Sequence, residues 1–401
     1  MQRKTLACFV AFVALVLAVR THAQQHVWTV DDDGPADFSS IAAAVAGAAA
    51  GDILLVASGS YGAFTLEKRL RILGPTTGAT PVVNGLTMIR QVNSCTLSGL
   101  RFANLWIKQT SGLIVVDDCQ IGFPGVGSLT IETSDQVLVS RCQVLASTGG
   151  TAASVSDTNA VFVDCELHGG AGASGWAVVG NGGDGLSVAN ASHVSLAGSK
   201  CRGGDAGIGF GGDGKAGNGI HSSASIVIIR GSATDLIQPG YVDSCCWGWP
   251  GKGLVANDSV IVMSGASITN VAASTSIVIQ PPIAEPYLEI AGSDVPGESR
   301  RLDLYGPAGE LAVVATSLDS APLALPGLEG LVWVDTSALH QVLPIAMLGQ
   351  NLPAHHLWTV PVDPALAGLA LCVQAGFPLH PGTLEPAAIL LSNPARMVVR
   401  F

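Results

Sequence analysis

Charge is scarce in this chain, and aromatic rings are scarcer. Of 401 residues, 12% are Asp, Glu, Lys or Arg and 5% are Phe, Tyr or Trp. The formal net charge is −11, which argues against nucleic-acid binding by electrostatics and against anionic polymers in general unless a cation intervenes. Long apolar runs are missing beyond residues 7–19, so no transmembrane segment is expected in the mature chain. No Cys-x-x-Cys pair and no zinc-type histidine spacing occurs, so no structural zinc is expected. What abounds is glycine, 49 residues, within a composition that is 48% hydrophobic. Such a chain is expected to be β-rich, with small side chains and many tight turns.

The N-terminus has the plan of an export signal. Arg3 and Lys4 precede the apolar stretch 7–19, and Thr21-His22-Ala23 puts small residues at −3 and −1 of a cut before Gln24. Loss of Arg3, Lys4 and Arg20 takes the formal charge from −11 to −14. A secreted or cell-surface location is expected.

Three segments share one shape: 113–122, 137–146 and 161–170. Each has two apolar residues spaced by two, then Cys, a polar residue and an aliphatic one. With Cys as slot zero, the column runs Cys95, Cys119, Cys142, Cys165, Ser199, Ser232 and Ala266. The steps are 24, 23, 23, 34, 33 and 34 residues. Slot +2 holds Ile121, Val144, Leu167, Cys201, Thr234 and Ile268. A period in the low twenties with alternation inside it marks a β-solenoid, in which each turn buries its apolar face only by stacking on its neighbours. Slot zero then points inward. Cys95, Cys119, Cys142 and Cys165 read as a reduced structural ladder of small hydrophobes, since stacked parallel residues suit disulfide geometry poorly.

The last three steps are longer by about eleven residues, inserted after slot +2. Each insertion ends in a Gly-x-Gly-aliphatic tetrad, at 183–186, 217–220 and 251–254. Three loops are therefore expected to project from one flank as a shelf. They carry Trp176, Phe210, Tyr241, Trp247 and Trp249, which either stack on sugar rings or cover apolar wall. Cys245 and Cys246 are either a disulfide site or two plain thiols; the spacing leaves both open. Gly-Gly-Asp-Gly at 182–185 and 211–214 reads as tight glycine turns.

Ahead of the repeats, Asp37, Ser39 or Ser40 is placed to cap a helix running to about Ala50 and stopped by Gly51. Such a helix would cover the open end of the stack. Phe38-Ser39-Ser40-Ile41-Ala42-Ala43-Ala44-Val45, Gly51-Asp52-Ile53, Gly59-Ser60-Tyr61 and Leu70-Arg71-Ile72-Leu73-Gly74 resemble the opening block of right-handed parallel β-helix proteins of the pectin-lyase-like superfamily. With the repeats, the resemblance covers roughly 27 to 280. After a Pro-rich break at 280–286, about eight short apolar runs imply a β-sandwich. Its end, from Val360 to Val399, resembles a C-terminal module of exported bacterial proteins, notably planctomycete ones. The expected organisation is a signal peptide at 1–23, an all-β right-handed parallel β-helix with its capping helix at 24–281, and a β-sandwich at 282–401.

The resemblance supplies fold more readily than activity. Pectin methylesterases carry a catalytic Asp where this chain has Ala153, and their Tyr-Gln-Asp-Thr element is absent. Polygalacturonases need an Asn-Thr-Asp, an Asp-Asp and a Gly-His-Gly on successive turns; here Asp117-Asp118 stands alone. A lyase-type site needs acids for Ca²⁺ and a base. One polar lane offers itself: Asp118, Arg141 and Asp164 in slot −1, with Glu166 beside them in slot +1. It reads first as a solvated charge ladder and second as a saccharide or Ca²⁺ groove, with no other cofactor called for. Carboxylates flanking Arg141 hold it charged, which makes it a poor base. The sequence thus points first to a non-catalytic exported protein that binds polysaccharide or cell-envelope glycan. The alternatives are a lyase or hydrolase of extracellular polysaccharide, and a structural spacer.

Overall fold

A computed structural model describes residues 26–122, 127–175, 179–209, 214–230, 236–242, 249–264, 267–273, 277–279, 287–292, 298–305, 311–317, 320–323, 328–329, 332–334, 339–346, 354–359, 370–378, 389–391 and 395–398. The segment 1–25, where the export signal was read, lies outside them.

One parallel sheet of 25 strands winds into a three-faced solenoid. The first face begins at Val27–Val30 and Ile53–Val56 and runs through Cys95–Ser98, Leu113–Asp117, His193–Ala197 and Val260–Ser264. The second holds short strands such as Gln120–Ile121, Gln143–Leu145, Glu166–His168 and Lys200–Arg202. The third runs from 104–108 through 129–132 and 153–156 to Leu186–Ala189, Ile220–Ser223 and Leu254–Asn257. Inward residues alternate along each strand and make one continuous core, as period-two patterning demands.

The helix is Ile41–Gly47, with the Ser40 hydroxyl accepting from the Ala43 amide at 3.2 Å. It buries Ile41, Ala44 and Val45 and ends short of the expected Ala50. The Lys68 ammonium bonds the carbonyls of Ala46 and Ala48, and the Asp52 carboxylate takes the Ala49 amide at 2.8 Å. Outside groups thus satisfy the last turn, and no further turn is needed.

Slot zero holds Leu100, Cys119, Cys142, Cys165 and Ser199. Each thiol donates to the carbonyl two residues back, and the Cys119 amide points at the Cys142 sulfur, 3.4 Å away. Ser199 repeats the chemistry: it accepts from the Cys165 amide at 3.1 Å and donates to Ala197. Cys95 is not in this column. It pairs with Ile114, five positions earlier in the turn, because the turn from Leu100 to Cys119 is shorter than its successors. Likewise Ile237, not Thr234, follows Cys201 in slot +2. Ser232, Thr234 and Ala266 lie outside the described residues.

The long insertions form a slab rather than separate turns. Outgoing arms bond the next outgoing arm at every third residue, as in Gly172 amide to Asp205 carbonyl and Gly175 to Ile208. Returning arms do the same, Gly182 to Lys215 and Gly185 to Asn218. Across the slab the bonds alternate between the two kinds: Gly240 to Gly217, Gly217 to Gly204, Gly204 to Gly183, Gly183 to Gly170. A donor every third residue is the signature of extended chains with three residues per turn. A Cβ on Gly183 would meet the Gly150 carbonyl oxygen at 1.9 Å, and one on Gly204 the Gly170 oxygen at 2.0 Å. The Gly-Gly-Asp-Gly at 182–185 is therefore not a tight turn. None of its glycines has positive φ; they are required for close approach. Residues 211–213 of the second copy lie outside the described residues.

Beyond the solenoid, antiparallel sheets take over: Tyr287–Gly292, Ser299–Tyr305 and Ala354–Thr359 in one, and a second built around Leu311–Ser317, Leu339–Ala346 and Ala370–Pro378. Capping helix, parallel solenoid and antiparallel module accord with the expected all-β class. Cys372 and Ala315 of the second sheet pack on Leu113, Val115, Leu138, Val161 and Val163, the outward side chains of the first face. That face is closed to ligands there.

Candidate functional site

The polar lane sits at a corner of the solenoid. Asp118, Arg141 and Asp164 all have φ near +50° and stack in the same column as Gly99 and Gly198, also left-handed. The column is thus where the chain turns between faces, and Asp is among the few non-glycine residues that tolerate it. The Arg141 guanidinium reaches back to Asp117, with Nη2 2.6 Å from Oδ2. Asp117 is fully buried and also accepts from the hydroxyls of Ser140, at 2.7 Å, and Ser98, at 3.3 Å. Arg141 therefore neutralises a buried carboxylate. Glu166 lies on the second face beside Gln143, at 3.5 Å, and Lys200, at 3.4 Å, in an exposed array. The lane brings its residues into a row but not around a cavity.

Of the shelf aromatics, Tyr241 is 62% and Trp249 74% exposed. Trp176, Phe210 and Trp247, with Cys245 and Cys246, lie outside the described residues. Trp249 pairs along the backbone with Lys215, so an exposed ring and an exposed cation share the edge where the returning arms enter the third face.

At that root stands a pair the sequence reading missed. Asp184 occupies the x position of the first Gly-x-Gly-aliphatic tetrad, and Asn218 of the second. The Asp184 Oδ1 accepts from the Asn218 amide at 2.7 Å and its Nδ2 at 2.8 Å. The other oxygen, Oδ2, lies 3.5 Å from His221 Nδ1. Burial works against the charge of Asp184, but the bonds from His221 and Asn218 outweigh it and hold the carboxyl below its usual range. The hydrogen bond to Asp184 raises His221 above an ordinary histidine, while burial and nearby Lys215 oppose that. His221 remains 40% exposed, with Nδ1 committed to the carboxylate and Nε2 left for a ligand. Lys252 follows Asn218 in the column, its amide on Asn218 Oδ1 at 3.0 Å and its ammonium on Asn270 Oδ1 at 3.0 Å.

The third face joins this root to a second feature. Its outward column reads Met88, Trp106, Thr130, Ser154, Ser187, His221 and Val255, each the direct neighbour of the next. Trp106 and His221 are four turns apart, about 19 Å at the parallel strand spacing. Between them the floor is hydroxyl side chains. Around Trp106 a cavity of about 220 Å³ is lined by Leu86, Asn104, Leu105, Ser128, Thr130 and Glu132. The indole Nε1 donates to Glu132 Oε2 at 3.2 Å, and the Lys108 ammonium lies 4.0 Å over the ring.

Asp31, Asp32 and Asp33 place one carboxylate oxygen each within 4.8 Å of one another near the N-terminal end of the described chain. They could hold a divalent cation such as Ca²⁺, the cation the sequence allowed, though not in the expected lane. Among the described residues no helix is long and apolar enough to cross a membrane.

No family model matches this chain, and no curated protein matches it. Among solved structures it is similar to full-length tailspike protein 2 from the Escherichia coli O157:H7 bacteriophage CAB120. The identity is 10% over 86% of this chain and 64% of that one, with a TM-score of 0.30. It is also similar to the enzymatically active domain of tailspike protein 4 of bacteriophage CBA120, at 11% identity over 87% and 64%, with a TM-score of 0.24. The chain spans less than two thirds of either structure. The second of these is an enzymatically active domain. That finding runs against the expectation of a non-catalytic protein.

Proposed function

We propose that the chain is an extracellular enzyme that cleaves an acidic polysaccharide by β-elimination at the root of the shelf. The observation that carries this is the Asp184–His221 pair, flanked by Lys215 and Lys252 on an open face. Elimination needs a base for the proton α to a uronate carboxylate and cations to stabilise the charge that develops there. His221 Nε2 is the base, with Asp184 fixing the tautomer. Lys215 and Lys252 face the carboxylate, and Trp249 offers a ring for a sugar to stack on. His221 takes the proton from C5, the electron pair forms the C4–C5 double bond, and the C4–O bond breaks. The departing glycosyl oxygen takes a proton from His221 or water. No water is consumed, and one product carries an unsaturated uronate.

Glycoside hydrolysis suits this pair less well. It needs a carboxyl held protonated as general acid, and Asp184 is shifted the other way. The local cations also answer the acidity of the chain as a whole, which would repel such a substrate elsewhere. The leader-like N-terminal sequence supports an extracellular setting. The test is incubation with polygalacturonate, alginate, hyaluronan and gellan, following the ultraviolet absorbance of unsaturated uronate. Absorbance should grow with one of them and be lost in His221→Gln. Cleavage that releases reducing ends without that absorbance would replace elimination with hydrolysis.

A further inference from the structure

We propose that the cavity beside Trp106 is a binding site for one neutral pyranose ring, in line with His221 on the third face. Lys108 covers the indole from one side, and the Glu132 carboxylate fixes its N–H. The ring is thus held in one orientation while it lines the cavity on the side of Asn104 and Leu86. A rigid aromatic wall, apolar side chains such as Leu86 and Leu105 and a few converging polar groups are what a sugar site needs. Glu132, Asn104 and Thr130 supply acceptors for hydroxyl groups, the carboxylate most strongly. With Lys108 directly opposite Glu132 the site carries no net charge and offers a uronate no excess of cations, whereas Lys215 and Lys252 favour one beside His221. The polymer that fits both ends is a heteropolysaccharide with a neutral sugar about four residues from the uronate that is cleaved, since four turns span about 19 Å. The role as a distal subsite rests on the elimination proposed above; the binding itself does not.

Saturation-transfer nuclear magnetic resonance on the full chain carrying His221→Gln, titrated with cellobiose, lactose and mannobiose, tests the site without turnover. These disaccharides are too short to reach from the cavity to Trp249. At least one should bind. Binding should weaken at least tenfold in Trp106→Ala and in Thr130→Trp, which fills the cavity from the neighbouring strand with Trp106 intact. It should stay within about threefold in Trp106→Phe and in Trp249→Ala. Absence of binding by all three sugars, or binding that survives both Trp106→Ala and Thr130→Trp, overturns the site. Disaccharide binding in a chain that cleaves no acidic polysaccharide would leave the site standing and remove the elimination.

Discussion

Asp117 is sealed from solvent, and the guanidinium of Arg141, 2.6 Å from its carboxylate, rises from the next turn of the solenoid. The pair turns the polar lane from a candidate site into part of the wall. Breaking a buried pair leaves its partner charge uncompensated, at a cost of about 3–5 kcal/mol.

Arg141→Ala should therefore lower the unfolding free energy by about 3 kcal/mol. Denaturant titration would show it, and the rate of polysaccharide cleavage per folded molecule should be unaffected. A loss of turnover without a loss of stability would restore Arg141 to the chemistry.

The shelf makes a steric prediction. Gly183→Ala drives a methyl group into the Gly150 carbonyl and should destabilise by about 1–3 kcal/mol or more. Amide exchange should accelerate at Gly204 and Gly217, which bond through the same alternating series. Gly62→Ala is the control, since a Cβ there meets nothing within 4 Å, and it should be nearly neutral.

Burial pushes the Cys119 and Cys142 thiols well above their ordinary range. They should not react with Ellman's reagent at neutral pH until the chain unfolds. Cys142→Ser should be tolerated within about 1 kcal/mol, because Ser199 shows a hydroxyl making the same two bonds two places along the column. Cys142→Leu should cost about 1–3 kcal/mol by overpacking.

His221 carries the pH dependence. Its folded pKa is raised by Asp184, so the neutral, basic form accumulates only above that raised value. Cleavage should increase with pH through a limb above the ordinary histidine range. Asp184→Asn should move the limb to lower pH and reduce the plateau. The stability from the ion pair is present below the unfolded histidine pKa and disappears as pH rises through the folded one. The proposed cleavage should thus be fastest where this pair stabilises the chain least. A limb that does not move in Asp184→Asn would contradict the pairing.

The solenoid and its capping helix were legible because both rest on local periodicity. Cys119, Cys142 and Cys165 share a column since their turns have equal length. Cys95 was misplaced because one turn is shorter, and equal spacing does not report where residues are lost. Thr234 gave way to Ile237 for the converse reason. The glycine slab was visible as a composition but not as a structure: its bonds run between separate arms of the chain, and glycine signals turns and close approach alike. Asp184 and His221 escaped notice because the first stood in a glycine tetrad and the second in a strand without a motif. The signal was the polar x position shared by Asp184, Asn218 and Lys252. Trp106 sits in RFANLWIK, where alternation places it outward; a large ring on the solvent side was the clue.

The most direct test of the account is the ultraviolet progress curve on acidic polysaccharides for the native chain, His221→Gln and Asp118→Ala. Growth of unsaturated uronate in the native and Asp118→Ala proteins, with none in His221→Gln, is the predicted result. Equal growth in His221→Gln, or activity lost only in Asp118→Ala, would contradict it and return the chemistry to the lane.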